Sequence, residues 1–155
     1  MSGNPGPSLM LPSIDEIRAN FELLDEGHDQ FEYLMELGRM LPPLPAEAHR
    51  DDKLVPGCQS KVWLDIDVKG RGPEAVLDLQ ADSDALITKG LVAFLVALYS
   101  GRTAGTILNT DALAMFRELG LGQHITSKRS NGLRSMVERI RGEAREVAAE
   151  TAGAS

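Results

Sequence analysis

Between Lys61 and Val68 apolar and polar positions alternate strictly, with Val62, Leu64, Ile66 and Val68 on one face and Lys61, Trp63, Asp65 and Asp67 on the other. That period predicts a half-buried strand. The turn cluster Gly70-Arg71-Gly72-Pro73 follows, and Glu74 to Ala81 then places Leu77 and Leu79 on one side, so the pair reads as an antiparallel hairpin. A third short strand is expected around Leu54 to Pro56.

Helical spacing governs most of the remainder. Ser13 is placed to cap a helix carrying Ile14, Ile17, Phe21 and Leu24 and ending at Gly27. A second, from about Asp29 to Met40, carries Phe31, Leu34, Met35 and Leu37 and stops before Pro42-Pro43-Leu44-Pro45. Ala46 to Lys53 is polar and reads as a surface loop leading to Cys58. Ser83 or Asp82 is expected to cap a helix from about Asp84 to Tyr99, ended by Gly101, whose apolar second half should lie on the hairpin's inner face. Thr103 to Leu108 and Asp111 to Leu119 predict two short helices, the second closed by Gly120 and Gly122. A long helix from about Ser127 to Ala149 is striped by Leu133, Val137, Ile140, Ala144 and Val147. Helices, a small antiparallel sheet, then helices again is the α+β pattern. The expected organisation is a loose tail rich in Gly, Pro, Ser and Asn over residues 1–12, one domain over 13–149 and a frayed end over 150–155.

Composition fits one ordinary globular domain: 155 residues, 43% hydrophobic and 25% charged. A formal charge of -7 disfavours a nucleic-acid partner and suits a basic protein surface instead. The longest apolar run, Leu91 to Leu98, is far short of the roughly 20 residues that cross a bilayer. With no signal-peptide pattern and a single cysteine, hence no internal disulfide, a cytoplasmic location without membrane contact is expected.

That cysteine lies in Val55-Pro56-Gly57-Cys58-Gln59-Ser60-Lys61, at a junction between loop and strand. A free cysteine is commonly a small, inert, buried hydrophobe. Gly57, Gln59 and Ser60 instead suit a shaped, partly polar turn, the kind of place where reactive groups concentrate. His28, His49 and His124 fall in no cysteine-hydrolase signature. Gly101-Arg102-Thr103-Ala104-Gly105 lacks the Lys-Ser/Thr of a phosphate loop, and no spacing suits a metal, so His49 is expected to be a solvated loop residue. One thiol cannot resolve its own disulfide, but it can carry: a thiolate can take the outer sulfur of another protein's persulfide and yield it to a third thiol. Asp84, opening the central helix, reads first as a cap that complements the helix dipole. Lys128 and Arg129 put positive charge at a helix N-terminus, the electrostatically unfavourable end, which suggests a nearby partner or anionic group.

Three motifs together resemble the SufE/CsdE family of sulfur-acceptor proteins: Gly57-Cys58-Gln59-Ser60 with Lys61-Val62-Trp63; Ser83-Asp84-Ala85-Leu86-Ile87-Thr88-Lys89-Gly90-Leu91; and Ile125-Thr126-Ser127-Lys128-Arg129-Ser130-Asn131-Gly132-Leu133. Leu37-Gly38 through Leu41-Pro42 also resembles the family's second-helix ending, and the similarity runs from about Ile14 to Arg141. A departure is Ser127, where members often carry proline; serine is acceptable at that position. The resemblance implies an α+β fold similar to the Fe-S scaffold IscU. It also implies a non-enzymatic carrier that takes sulfane sulfur from a PLP-dependent cysteine desulfurase of the SufS or CsdA kind, stimulates that enzyme, and delivers sulfur to an Fe-S scaffold complex. Cys58 matches the family's persulfide-bearing cysteine. Asp84 and Arg129, and behind them Gln59, Lys89 and His124, are implied in partner docking or loop control. No cofactor is expected on this chain, PLP belonging to the desulfurase; a homodimer is a possible assembly, on which the motifs are silent. The rival reading is an adaptor that regulates a partner while Cys58 stays inert in the core.

Overall fold

The computed structural model describes residues 11–24, 28–42, 44–55, 61–121 and 131–150, with backbone alone at 28, 131 and 132. Helix α1 spans Ile14–Leu23, and the Ser13 hydroxyl caps it by accepting the Glu16 N–H at 3.2 Å. Ile14, Ile17 and Phe21 are its buried face. The residue that follows it, Leu24, is already extended, so the helix stops before Gly27. Helix α2 spans His28–Met40. Its buried stripe is Gln30, Leu34 and Leu37, whereas Phe31 and Met35 are half-buried.

Strand β1, Val62–Lys69, pairs antiparallel with β2, Val76–Ser83, in a register that sets Val62 opposite Ser83 and Lys69 opposite Val76. The turn between them uses Gly70 and Gly72 at positive φ, 94° and 77°, where a side chain would be strained. The third strand, β3, is Arg102–Thr103, paired with Val76 and Leu77 on the far side of β2. It arises because Gly101, at φ 79°, turns the chain back so that its N–H donates to the Leu77 carbonyl at 2.8 Å. Of the expected strand around Leu54 to Pro56, the described residues form one antiparallel bridge, between Leu54 and Trp63, and Pro56 lies outside them.

Helix α3, Leu86–Tyr99, lies across the inner sheet face and is buried from Gly90 to Val96. Its N-terminal cap, Ala85, makes no side-chain capping bond. The expected caps are engaged elsewhere: Ser83 ends β2 with its hydroxyl accepting the Ala85 N–H, and the Asp82 carboxylate accepts the Ser83 N–H. Helix α2 packs on α3 through glycine: a Cβ on Gly90 would fall 2.0 Å from the Leu34 carbonyl oxygen, and one on Gly38 3.1 Å from Gly90 N. At Gly90 only hydrogen permits the crossing, while a side chain at Gly38 would press its neighbours by a few tenths of an ångström. Short helices α4, Ala104–Leu108, and α5, Ala112–Glu118, are capped by the side chains of Thr103 and Asp111. Helix α6, Asn131–Ala149, closes the core with Leu133, Met136, Val137, Ile140, Ala144 and Val147. Among the described residues, six helices and a three-stranded antiparallel sheet make the α+β class expected from the pattern. No helix among the described residues is long and apolar enough to cross a membrane.

Candidate functional site

Cys58, Gln59, His124 and Arg129 lie outside the described residues, so the site is defined by what brackets residues 56–60. Upstream is a strap, Pro45 to Val55, made of two single 3-10 turns, Ala46–Ala48 and Asp51–Lys53, in which no residue is buried. It ends on Val55, buried at 4% exposure, whose N–H donates to the Val62 carbonyl at 2.8 Å. Downstream is Lys61. Its N–H donates to an Asp84 carboxylate oxygen at 2.9 Å, and its carbonyl accepts the Asp84 N–H at 3.2 Å. Asp84 therefore closes the entrance to β1 rather than capping α3, the role its position first suggested. Its carboxylate and amide extend the β1–β2 ladder by one more pair.

Lys89, on the first turns of α3, reaches Asp82 and not Asp84, with its ammonium 3.3 Å from the carboxylate. Asp82 gathers two further donors, His49 Nε2 at 2.8 Å and the Ser83 N–H at 2.8 Å. Burial pushes the Asp82 carboxyl up, but the bonds from His49 and Ser83 and the Lys89 charge outweigh it and leave the group below the usual carboxylate range. His49 is thus no solvated loop residue. Its Nδ1 faces the Pro45 carbonyl at 3.0 Å and its ring meets Trp63 edge-on at a centroid distance of 4.7 Å. Distance along the chain hid this: Asp82 lies 33 residues away, brought to His49 by its place opposite Trp63 in the β1–β2 register.

Two more ties hold the strap. Lys53 pairs with Asp65 on β1 at 2.8 Å, and Arg139 of α6 donates to the Leu54 carbonyl at 3.1 Å and the Asp52 carbonyl at 3.4 Å. Neither His49 nor Arg139 stood out by sequence motif, since both act on backbone or on a residue remote in sequence. No group of three or more His, Cys, Asp or Glu among the described residues is arranged to hold a metal.

With this frame in place, comparison decides the family. A model described as "SufE: Fe-S metabolism associated domain" matches residues 15–144. The chain belongs to the SufE family. Two relatives, each described as an uncharacterized SufE-like protein, come from Rhizobium etli and Rhizobium meliloti. The first is 43% identical over 144 residues, covering 93% of this chain and 97% of the relative. The second is 42% identical over 134 residues, covering 86% and 96%. The solution structure of a hypothetical protein from Thermus thermophilus superposes with a TM-score of 0.68 at 20% identity, covering 90% of this chain and 98% of that one, which establishes a shared fold. As a SufE-family member, the protein is associated with Fe-S metabolism.

Proposed function

We propose that this SufE-family chain is a sulfur carrier that accepts sulfane sulfur from a PLP-dependent cysteine desulfurase onto Cys58, stimulates that enzyme, and passes the sulfur towards an Fe-S scaffold. The observation that carries the reading is that the chain's one thiol falls inside the family's matched region, in the Gly57-Cys58-Gln59-Ser60 motif. The Cys58 thiolate attacks the outer sulfur of the enzyme's persulfide. One sulfur–sulfur bond forms, the enzyme's bond breaks, and the enzyme cysteine leaves as thiolate, so no external oxidant or reductant is consumed. The frame around residues 56–60 supports the reading physically. Both bracketing residues are hydrogen-bonded into the sheet, so the chain enters and leaves the thiol segment from fixed points.

The test is intact-mass measurement after incubation with a cysteine desulfurase and free cysteine. A gain of about 32 Da on the wild type, absent from Cys58→Ser, is the expected outcome. No gain, or a gain that survives the substitution, removes the carrier role. Desulfurase stimulation undiminished in Cys58→Ser would point to the adaptor reading instead.

A further inference from the structure

We propose that His49 and Arg139 are positioning residues for Cys58, holding the strap that delivers the chain to the thiol segment; the inference rests on the carrier reading. The strap differs from the rest of the fold in how it is held. Neither of its 3-10 turns buries a residue, so between Leu44 and Val55 hydrophobic packing contributes little. Side chains reaching across from other elements replace it. From β2, Asp82 takes His49; from β1, Asp65 takes Lys53, and Trp63 receives the edge of the His49 ring. From α6, Arg139 takes the carbonyls of Leu54 and Asp52, immediately before Val55.

The two ends of the thiol segment are therefore fixed by different means. Lys61 is joined through Asp84 to a continuous ladder of eight strand pairs. Val55 is anchored by burial of its own side chain and, among the described residues, by one backbone bond, to Val62, whereas the strap behind it is kept in register by exchangeable polar contacts. The His49 ring is held on one side by the Asp82 carboxylate, 2.8 Å from Nε2, and meets Trp63 edge-on at a centroid distance of 4.7 Å, so turning the ring away gives up both contacts. The Arg139 guanidinium, planar and forked, spans two strap carbonyls in a way that an ammonium cannot. Because α6 carries the end of the third family motif, Asn131 to Leu133, this guanidinium also links the strap to that motif's helix.

Sulfur transfer needs the attacking sulfur in line with the bond it breaks, and a misplacement of about 1 Å can cost on the order of 100-fold in rate. Loosening the strap should thus slow transfer more than it weakens docking. The experiment measures sulfur transfer from the desulfurase to Arg139→Met, Arg139→Lys and His49→Phe, together with hydrogen exchange of the Val55 amide and iodoacetamide alkylation of Cys58. Expected for Arg139→Met and His49→Phe is a fall in kcat of about tenfold with KM within about threefold, and faster exchange at Val55. Arg139→Lys, which can still donate to the Leu54 carbonyl, should recover part of the loss. Values within about twofold of wild type for kcat and Val55 exchange overturn the proposal, as does a lysine variant no better than methionine. If the wild type takes up no sulfur, the carrier reading fails by itself. Val55 exchange and Cys58 alkylation then decide positioning alone: unchanged rates in Arg139→Met and His49→Phe reject it, altered ones uphold it.

Discussion

Asp82 has a carboxylate surrounded by donors: an imidazole, an ammonium and a backbone N–H. Its depressed pKa is a statement about stability. A carboxyl held below its unfolded value contributes stability that is complete above that value, about 4, and is lost as pH falls through the folded one. The difference in urea midpoint between wild type and Asp82→Asn should therefore be full at neutral pH and shrink below pH about 4. A difference that stays constant through acid would show that the charge is not what matters. Gln30 is a second polar residue whose role depends on a distant partner. It is 4% exposed on the core face of α2, and its amide donates to the Leu119 carbonyl at 2.9 Å, 89 residues on. Gln30→Met should cost about 1–3 kcal/mol by leaving that carbonyl unmet, read as a lower thermal midpoint. Helical periodicity pointed to Phe31 and Met35 as core and passed over Gln30, because a polar letter at a core position reads as surface until its partner is known.

At the scale of elements, the hairpin was legible because alternation is a property of neighbours: β1 and β2 need only their own residues to show which face is buried. Strand β3 was not. Two residues carry no period, and Arg102–Thr103 becomes a strand only because Gly101 turns it against Leu77. The start of α3 was misplaced for a related reason. Ser83 and Asp82 have the chemistry of helix caps, but the β1–β2 register claims their backbone and His49 and Lys89 claim the Asp82 carboxylate. The α2–α3 crossing leaves a sharper mark. Gly90→Ala would drive a methyl group to within 2.0 Å of the Leu34 carbonyl, a clash with backbone that cannot be relieved by a rotamer change. The two helices would have to separate, and a loss of about 3 kcal/mol or more is expected by denaturant titration. An alanine variant as stable as wild type would mean that the helices already sit further apart. Helix propensity alone would have favoured alanine.

For the whole molecule, class and order of elements could be read from the sequence, whereas the polar frame around the thiol segment could not. Its members, His49, Asp82, Lys89 and Arg139, come from the strap, β2, α3 and α6, and only the folded chain brings them together. The family motifs pointed to Cys58, Asp84 and Lys89 one stretch at a time, without the carbonyls and carboxylates that connect those stretches. A final feature concerns the side of β2 away from β1. Beyond the two residues covered by β3, the Ser100 hydroxyl takes over, accepting the Leu79 N–H at 2.9 Å and lying 3.5 Å from the Leu79 carbonyl. A single side chain thus finishes the sheet where another strand would otherwise add. A neighbouring copy therefore meets a border already sealed at Leu79, so a further strand is discouraged from adding to β2 at that point even when the protein is concentrated.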